Sequence, residues 1–284
     1  MVHKKVLFFI YKKISKIYIL IFGRKSMQFF NDFILSLSLK GKGYMNYGTF
    51  EETGEKFFIN QIKEEIKLSL DIGANVGNYT KMLLSETTSN VVSFEPLPKA
   101  FEELKKIKSD YQSRIEIHNV AIGSNDEILD LSYGTDKSEK ASLMPNLEKL
   151  SFIKDQNSNK ISVQVRQLDY FEKYFKDKII DFIKIDTEGF EFEVLKGSKN
   201  ILEIHKPKFI QIEFNWHQLL KKQTLYNLSQ LINFSDVFKI LPHGNKLMHI
   251  DPFRPENNIY HLSNYVFIRK DISDRYKWLK LKSL

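Results

Sequence analysis

Residues 67–80 read Lys-Leu-Ser-Leu-Asp-Ile-Gly-Ala-Asn-Val-Gly-Asn-Tyr-Thr, a short apolar strand that breaks into a glycine-bearing turn and opens a helix. A strand ending this way commits its surroundings to a strand-turn-helix unit, and a turn of that kind usually holds a nucleotide-like ligand. The chain beyond keeps the same rhythm. A helix around 79–85 leads to an apolar strand at 91–95, then to a helix started by Pro98 that carries Phe101, Leu104 and Ile107 at helical spacing, then to a third strand at 114–119. Strands are predicted again at 161–166, 180–186 and 208–214, with a short helix near 170–175. Pro242, Gly244 and Asn245 punctuate two late strands, and 265–269 makes the last. The alternation predicts a doubly wound α/β fold whose mostly parallel sheet is covered on both faces. Residues 134–160 interrupt it: Gly134, Asp136, Lys137, Ser138, Asn146, Asn157 and Ser158 among scattered apolar positions predict a long excursion over the sheet, of a sort commonly functional.

What the turn lacks narrows its ligand. A dinucleotide fingerprint would place glycines at 73, 75 and 78, but Asn occupies 75 and 78, and no Lys-Ser or Lys-Thr pair follows to make a P-loop. Asp71 ends the strand, where a carboxylate repels a diphosphate and suits a ligand with positive charge near its adenosine. S-adenosylmethionine, with a sulfonium and an ammonium group, meets that demand. Glu95 follows at the end of the second strand, roughly twenty residues on, where an acidic side chain can accept both ribose hydroxyls. The plainer alternative is that Gly73 and Gly77 only shape a tight bend and that Glu95 is a solvated loop acid.

A second chemical landmark lies at 179–197, Ile-Ile-Asp-Phe-Ile-Lys-Ile-Asp-Thr-Glu-Gly-Phe-Glu-Phe-Glu-Val-Leu-Lys-Gly. An apolar strand delivers Asp186 at its carboxyl end, where open α/β sheets place their ligands, and Glu188 and Glu191 crowd the following turn. Carboxylates held together raise one another's pKa, which suits a general base or a cation site and is costly for a purely structural loop. The alternative for Glu191 and Glu193 is a helix N-terminus, where the dipole favours acids.

Composition sets outer bounds. With 284 residues, 42% of them hydrophobic, the chain can bury a sizeable core, most simply as one large domain at 61–284 with a helical, amphipathic appendage at 1–60. An excess of 43 Lys and Arg over 35 Asp and Glu leaves acidic partners such as nucleic acid, anionic lipid or charged glycans electrostatically open. Zero cysteines exclude disulfides, thiolate metal sites and a cysteine nucleophile, and fit a reducing, cytoplasmic compartment. In the first thirty residues, 6–11 and 17–22 are strongly apolar, but Lys12, Lys13 and Lys16 interrupt them, so no stretch is long and uncharged enough to span a bilayer. Gly23-Arg24-Lys25 is a poor secretory cleavage site. Two readings remain for this segment: helices that pack across the sheet or cap a substrate pocket, and a basic amphipathic segment lying peripherally on the inner face of an anionic membrane.

Taken together, Asp71-Ile-Gly-Ala-Asn-Val-Gly77, Phe94-Glu95-Pro96, Asn119-Val-Ala-Ile-Gly123 and above all Asp181-Phe-Ile-Lys-Ile-Asp-Thr-Glu-Gly-Phe-Glu191 with Val194-Leu-Lys-Gly197 resemble the FkbM family of class I, S-adenosylmethionine-dependent methyltransferases. The resemblance covers 68 to about 214 and is looser to 270; its specific part is Lys-Ile-Asp-Thr-Glu-Gly, since many methyltransferases share the glycine turn. Residues 43–48 and 53–58 also resemble a segment that precedes the core in relatives linked to bacterial surface polysaccharides.

The resemblance implies O-methylation, most often of a sugar or polyketide hydroxyl, on a Rossmann-like, seven-stranded sheet with a reversed final strand. It places Gly73, Asn75 and Gly77 near the methionine portion of the donor, Glu95 at the ribose, Asn119 and Val120 beside the adenine, and Asp186 facing the methyl donor, with Asp71 and Pro96 also among the donor-binding residues. Alignment of acceptor oxygen, methyl carbon and sulfur is then the main requirement. A base near the hydroxyl adds about 10² to 10⁴-fold, and the candidates are Asp186, Glu188, Glu213 and His217. The last two follow the strand at 209–212 and so emerge at its carboxyl edge. His217 has an ordinary pKa suited to a base, or is a surface histidine at a helix start. Asp186, Glu188 and Glu213 could also supply hard oxygen ligands to Mg²⁺, with a sugar diol completing the shell. Two rivals from other classes are a nucleic-acid methyltransferase and a non-catalytic membrane-associated scaffold. The first lacks the Asn/Asp-Pro-Pro-Tyr/Phe/Trp signature, and its lysines are spread rather than gathered with aromatics.

Overall fold

The computed structural model describes residues 2–134, 141–145, 158–175, 178–243 and 247–279, with side chains from 8 to 276 within those ranges. Most of the excursion expected at 134–160, including Asp136, Lys137, Ser138, Asn146 and Asn157, lies outside the described residues, as do Gly244 and Asn245. The chain opens with helices α1 (Val2–Phe22), α2 (Gln28–Gly41), α3 (Phe50–Thr53) and α4 (Glu55–Ile62). Then follow β1 (Leu68–Ile72), α5 (Asn78–Glu86), β2 (Asn90–Phe94), α6 (Pro98–Tyr111) and β3 (Ile115–His118). After β4 (Ala121–Ile122), β5 (Glu127–Tyr133) and β6 (Asn159–Arg166) come β7 (Phe182–Ile185), α7 (Glu191–Lys196), α8 (Lys199–His205) and β8 (Phe209–Phe214). The chain continues through α9 (Trp216–Leu220), α10 (Leu225–Leu231), β9 (Ser235–Ile240), β10 (Leu247–Ile250), β11 (Ser263–Arg269) and α11 (Lys270–Ser273).

The main sheet runs β10-β9-β11-β8-β7-β1-β2-β3. Its five strands from β8 to β3 pair in parallel, and β11 runs antiparallel to both of its neighbours, the reversed final strand that the family resemblance implies. The count differs from the expected seven. An eighth strand, β10, pairs antiparallel along β9, from Leu247↔Ile240 to Ile250↔Val237, and extends the sheet edge. A second departure concerns the strand expected at 161–166. It forms β6, but pairs in a separate three-stranded sheet, β4-β6-β5, where β5 supplies a seven-residue antiparallel partner from Glu127↔Val165 to Tyr133↔Asn159.

Period-two alternation buries the main sheet on both faces. Ile183 and Ile185 join Leu70, Ile72, Ile210 and Ile212 on one side, whereas Phe182 joins Phe58, Ile59, Phe209 and Phe238 on the other. Residues 50–62 therefore pack into this core, while nearly all the described side chains of α1 and α2 stay exposed. Lys184 shares the face of Phe182, a cation in the middle of a fully buried strand, and its environment is where the site begins.

Candidate functional site

A cavity of about 720 Å³ opens at the carboxyl edge of β1, β2, β7 and β8, within the usual size range of ligand clefts and at the place where open α/β sheets hold ligands. The turn after β1 forms one wall. Gly73 (φ +83°) and Asn75 (φ +50°) adopt left-handed backbone, and a Cβ on Gly73 would run into the Asp186 carbonyl oxygen. The glycine thus lets the ends of β1 and β7 touch, with Gly73 N donating to Phe94 O at 3.0 Å and Asp186 N to Ile72 O at 3.0 Å. Glu95 shapes this turn from β2: its Oε2 accepts from Asn75 N at 2.8 Å and its Oε1 from Leu97 N at 2.7 Å. Burial pushes the Glu95 carboxyl up to about 7 against the pull of those two amides. Each oxygen retains the capacity to accept a further hydrogen bond.

The turn after β7 forms the opposite wall. Glu188 is held at φ +51° and Gly189 at φ +101°, conformations that persist only where their surroundings impose them. The imposing group is Glu191. It is fully buried, and its Oε1 accepts from Thr187 N at 3.0 Å, Thr187 Oγ1 at 3.1 Å and Gly189 N at 3.1 Å, while Oε2 accepts from Gln218 Nε2. With Glu191 turned inward, Asp186, Glu188 and Glu213 converge on the cavity, their nearest oxygens all within 4.8 Å of one another. Burial, then the charges of Glu213 and Asp186, raise Glu188 well above the usual carboxylate range. Burial and Asp186 do the same to Glu213, opposed by Lys184 and Asn215. Three acids held this closely call for a cation or a shared proton to balance them.

Lys184 supplies part of that balance. Its Nζ lies 3.0 Å from Asp186 Oδ2, 4.0 Å from Glu55 Oε1 and 5.3 Å from the centroid of the Tyr79 ring. Burial pulls its pKa down, but Asp186, Glu55 and Glu213 together outweigh that and raise it. A buried network extends behind it: Tyr79 Oη donates to Gln211 Oε1 at 2.7 Å, and Gln211 Nε2 donates to Glu55 Oε1 at 2.6 Å and to Asn264 Oδ1 at 3.1 Å. Asn46, Tyr47, Gly48 and Thr49, from the segment before α3, complete the rim.

Of the residues expected at the site, Gly73, Asn75, Glu95, Pro96, Val120, Asp186, Glu188 and Glu213 line the cavity. Four do not. Asp71 turns into the interior, where its Oδ2 accepts from Thr80 Oγ1 at 2.6 Å and burial pushes its carboxyl up to about 6; it ties α5 to β1 rather than facing a cationic ligand. Gly77 (φ +86°) precedes α5, where a Cβ would meet Ile107 and Leu104. Asn119 braces the β2 turn from outside, its Nδ2 donating to the carbonyls of Glu95 at 2.8 Å and Pro96 at 3.0 Å. His217 is buried behind Gly189, with Nδ1 2.6 Å from Asn215 Oδ1 and 3.3 Å from Glu188 Oε2. Burial, then the charge of Lys221, push its imidazole down to about 3. It is neither the surface histidine nor a base aimed at the cavity.

Lys184, Glu55, Tyr47 and Asn264 line the cavity without having been singled out from sequence. Lys184 carried a readable signal: a lysine inside an apolar strand, two residues before Asp186 and therefore on its face. Tyr47 and Glu55 lie in the 43–48 and 53–58 segments that resemble family relatives, while Asn264 depends on long-range packing.

Comparison with known proteins accords with this arrangement. A match to the family described as the methyltransferase FkbM domain extends over residues 71–245, well over half of the chain. Methyltransferase 1 of Beauveria bassiana (strain ARSEF 2860) is 26% identical over 149 residues, covering 45% of this chain and 57% of that protein, so the match spans little more than half of the curated relative's length. Among solved structures, an O-methyltransferase from Bacillus cereus in complex with SAH is similar at 11% identity and a TM-score of 0.41, covering 84% of this chain and 90% of the other. An rRNA methylase from Streptococcus thermophilus is similar at 11% identity and a TM-score of 0.39, covering 76% and 93%. The match over 71–245 takes in the turns after β1 and β7 and the parallel strands that carry them, and the chain belongs to the FkbM methyltransferase family.

Proposed function

We propose that the protein transfers a methyl group from S-adenosylmethionine to a hydroxyl oxygen of a glycan, glycolipid or related glycoside. The observation that carries this reading is the convergence of Asp186, Glu188 and Glu213 on the same cavity that Glu95 and Asn75 line. The donor fits the residues present: Glu95 keeps lone pairs for two ribose hydroxyls, and Val120, Phe94 and Ile122 offer apolar wall for an adenine. When bound, S-adenosylmethionine supplies an electrophilic methyl carbon. The chain's own contribution is to align the acceptor oxygen and take its proton as the oxygen–carbon bond forms and the carbon–sulfur bond breaks.

Glu188 and Glu213 suit that second task. Burial and neighbouring acids raise both carboxyls well above the usual carboxylate range, which makes each a stronger proton acceptor. The Lys184 ammonium lies beside them, 3.0 Å from Asp186 Oδ2. Together the three acids also fit a divalent cation, since oxygen ligands 2.0–2.6 Å from one ion span about this separation. Such an ion would polarise a sugar diol; turnover unchanged by exhaustive chelation removes it from the reading. An acidic cavity opposes phosphate-bearing strands, which favours a neutral hydroxyl acceptor over nucleic acid. Mass spectrometry of surface glycans from cells with and without the protein, alongside calorimetric titration with S-adenosylmethionine, tests the proposal. Loss of one methyl group per glycan repeat supports it, whereas absence of donor binding favours a non-catalytic scaffold.

A further inference from the structure

Helices α1 and α2 form a hairpin in which most of the described apolar side chains are exposed. Ile10, Ile14, Ile17 and Ile21 recur along one stripe of α1 and all stand in solvent. In α2, Phe29 is 86% exposed, and Phe33 and Leu37, one and two turns further on, are each more than half exposed. The hairpin turn itself is well defined: the Tyr18 and Phe22 rings lie 4.9 Å apart and those of Phe22 and Phe30 5.0 Å apart, and Tyr18 Oη donates to Asn31 Oδ1 at 2.6 Å. Its root is anchored as well. Tyr44 is fully buried with its ring 3.2 Å from Lys239 Nζ, and its hydroxyl donates to the Glu256 carbonyl at 3.1 Å. A firmly rooted hairpin with this much exposed apolar surface marks an interaction site.

Charge identifies the occupant. Nine of the 43 basic residues and one of the 35 acidic residues fall in 1–42, so this segment carries the whole net charge of +8 and the other residues balance at 34 of each sign. Apolar side chains interleaved with Lys12, Lys13, Lys16, Arg24 and Lys25 complement a surface that is apolar beneath and anionic above. A second copy docked through the same helices would oppose two segments of charge +8. No helix among the described residues is long and apolar enough to cross a membrane.

We propose that the α1–α2 hairpin docks flat on an anionic bilayer surface, with its apolar side chains at the headgroup–acyl boundary and its lysines against lipid phosphates. The segment after α2 runs directly into Asn46, Tyr47 and Thr49 on the cavity rim, so docking holds the cavity close to the bilayer.

Co-sedimentation of the full chain with vesicles of phosphatidylcholine alone, and of phosphatidylcholine mixed with phosphatidylglycerol, tests this without reference to catalysis. Binding to the mixed vesicles is expected, weakening with salt. The triple variant Lys12→Glu, Lys13→Glu, Lys16→Glu should lower the partition coefficient by on the order of 10²-fold or more, from about 1 kcal/mol per basic residue at the surface. Phe29→Ser with Phe33→Ser, which keeps the charge, should also reduce binding while leaving the melting temperature unchanged. Equal partition onto both vesicle types overturns the proposal, as does a concentration-dependent dimer in sedimentation equilibrium that Phe33→Ser dissolves.

Discussion

The turns after β1 and β7 face each other across the cavity and solve the same backbone problem differently. Both contain left-handed residues, Gly73 and Asn75 in one, Glu188 and Gly189 in the other, and both are held by a buried carboxylate that accepts backbone amides. In the β1 turn that carboxylate is Glu95, which also lines the cavity. In the β7 turn the tasks are divided: Glu191 holds the loop from inside and Glu188 faces the cavity. A side chain that does both jobs cannot be altered for one without the other, whereas a divided site lets shape and chemistry be broken separately.

Glu188→Gln should break chemistry alone. The substitution keeps the side chain's size, removes a proton acceptor, and should lower kcat by about 10² to 10⁴-fold; calorimetry should show donor affinity retained and denaturation an intact fold. Glu191→Ala should break shape, leaving Thr187 N, Gly189 N and Gln218 Nε2 without their acceptor at a cost of about 3 kcal/mol, read as a lower denaturation midpoint. If Glu188→Gln destabilises the chain as much as Glu191→Ala, the division of roles fails.

Glu95→Gln should show mixed behaviour, weakening donor binding by roughly 10 to 100-fold in calorimetric titration and lowering stability together. Asp71→Ala, by contrast, should cost about 1–2 kcal/mol of stability through the loss of the Thr80 tie, with a smaller change in donor affinity. A donor affinity lost in Asp71→Ala with stability intact would return that residue to the cavity.

The smallest effect is on pH dependence. Glu95 has its folded pKa raised from an ordinary 4.5 to about 7, so the folded chain binds more protons than the unfolded one between those values. Its contribution is fully present below about pH 4.5 and is lost as pH rises through 7. Melting of the ligand-free protein should therefore show a falling component across that window that Glu95→Gln abolishes. The buried Asp71, raised to about 6, acts in the same direction, while His217, lowered to about 3, opposes it by losing stability as pH falls from 6.5 through 3.

Much of this was legible in the chain before folding. A short, mostly apolar strand that ends in Asp71-Ile-Gly, and another that ends in Asp186-Thr-Glu-Gly, locate two strand ends by local pattern, and parallel strands bring such ends to one edge. Less legible was the partner of β6. The same alternating residues suit the main sheet or a smaller one, and the choice rests on β5, which pairs with it across the long connection from Glu127↔Val165 to Tyr133↔Asn159. Side-chain direction at strand ends was also hidden, because it depends on which neighbour offers a hydrogen bond: Thr80 draws Asp71 inward, and Gln218 with the amides of Thr187 and Gly189 draws Glu191 inward.

By itself the sequence determined the strand-turn-helix units, the left-handed glycines, the acidic edge and the family, since each is written in contiguous residues with a period or spacing of its own. Only the tertiary structure decided that Asp71 and His217 face away from the cavity, that Lys184 and Glu55 reach into it, and that residues 46–49 form its rim. Those outcomes turn on contacts such as Gln211 with Glu55, 156 positions apart, for which no local periodicity exists and packing alone selects the partner.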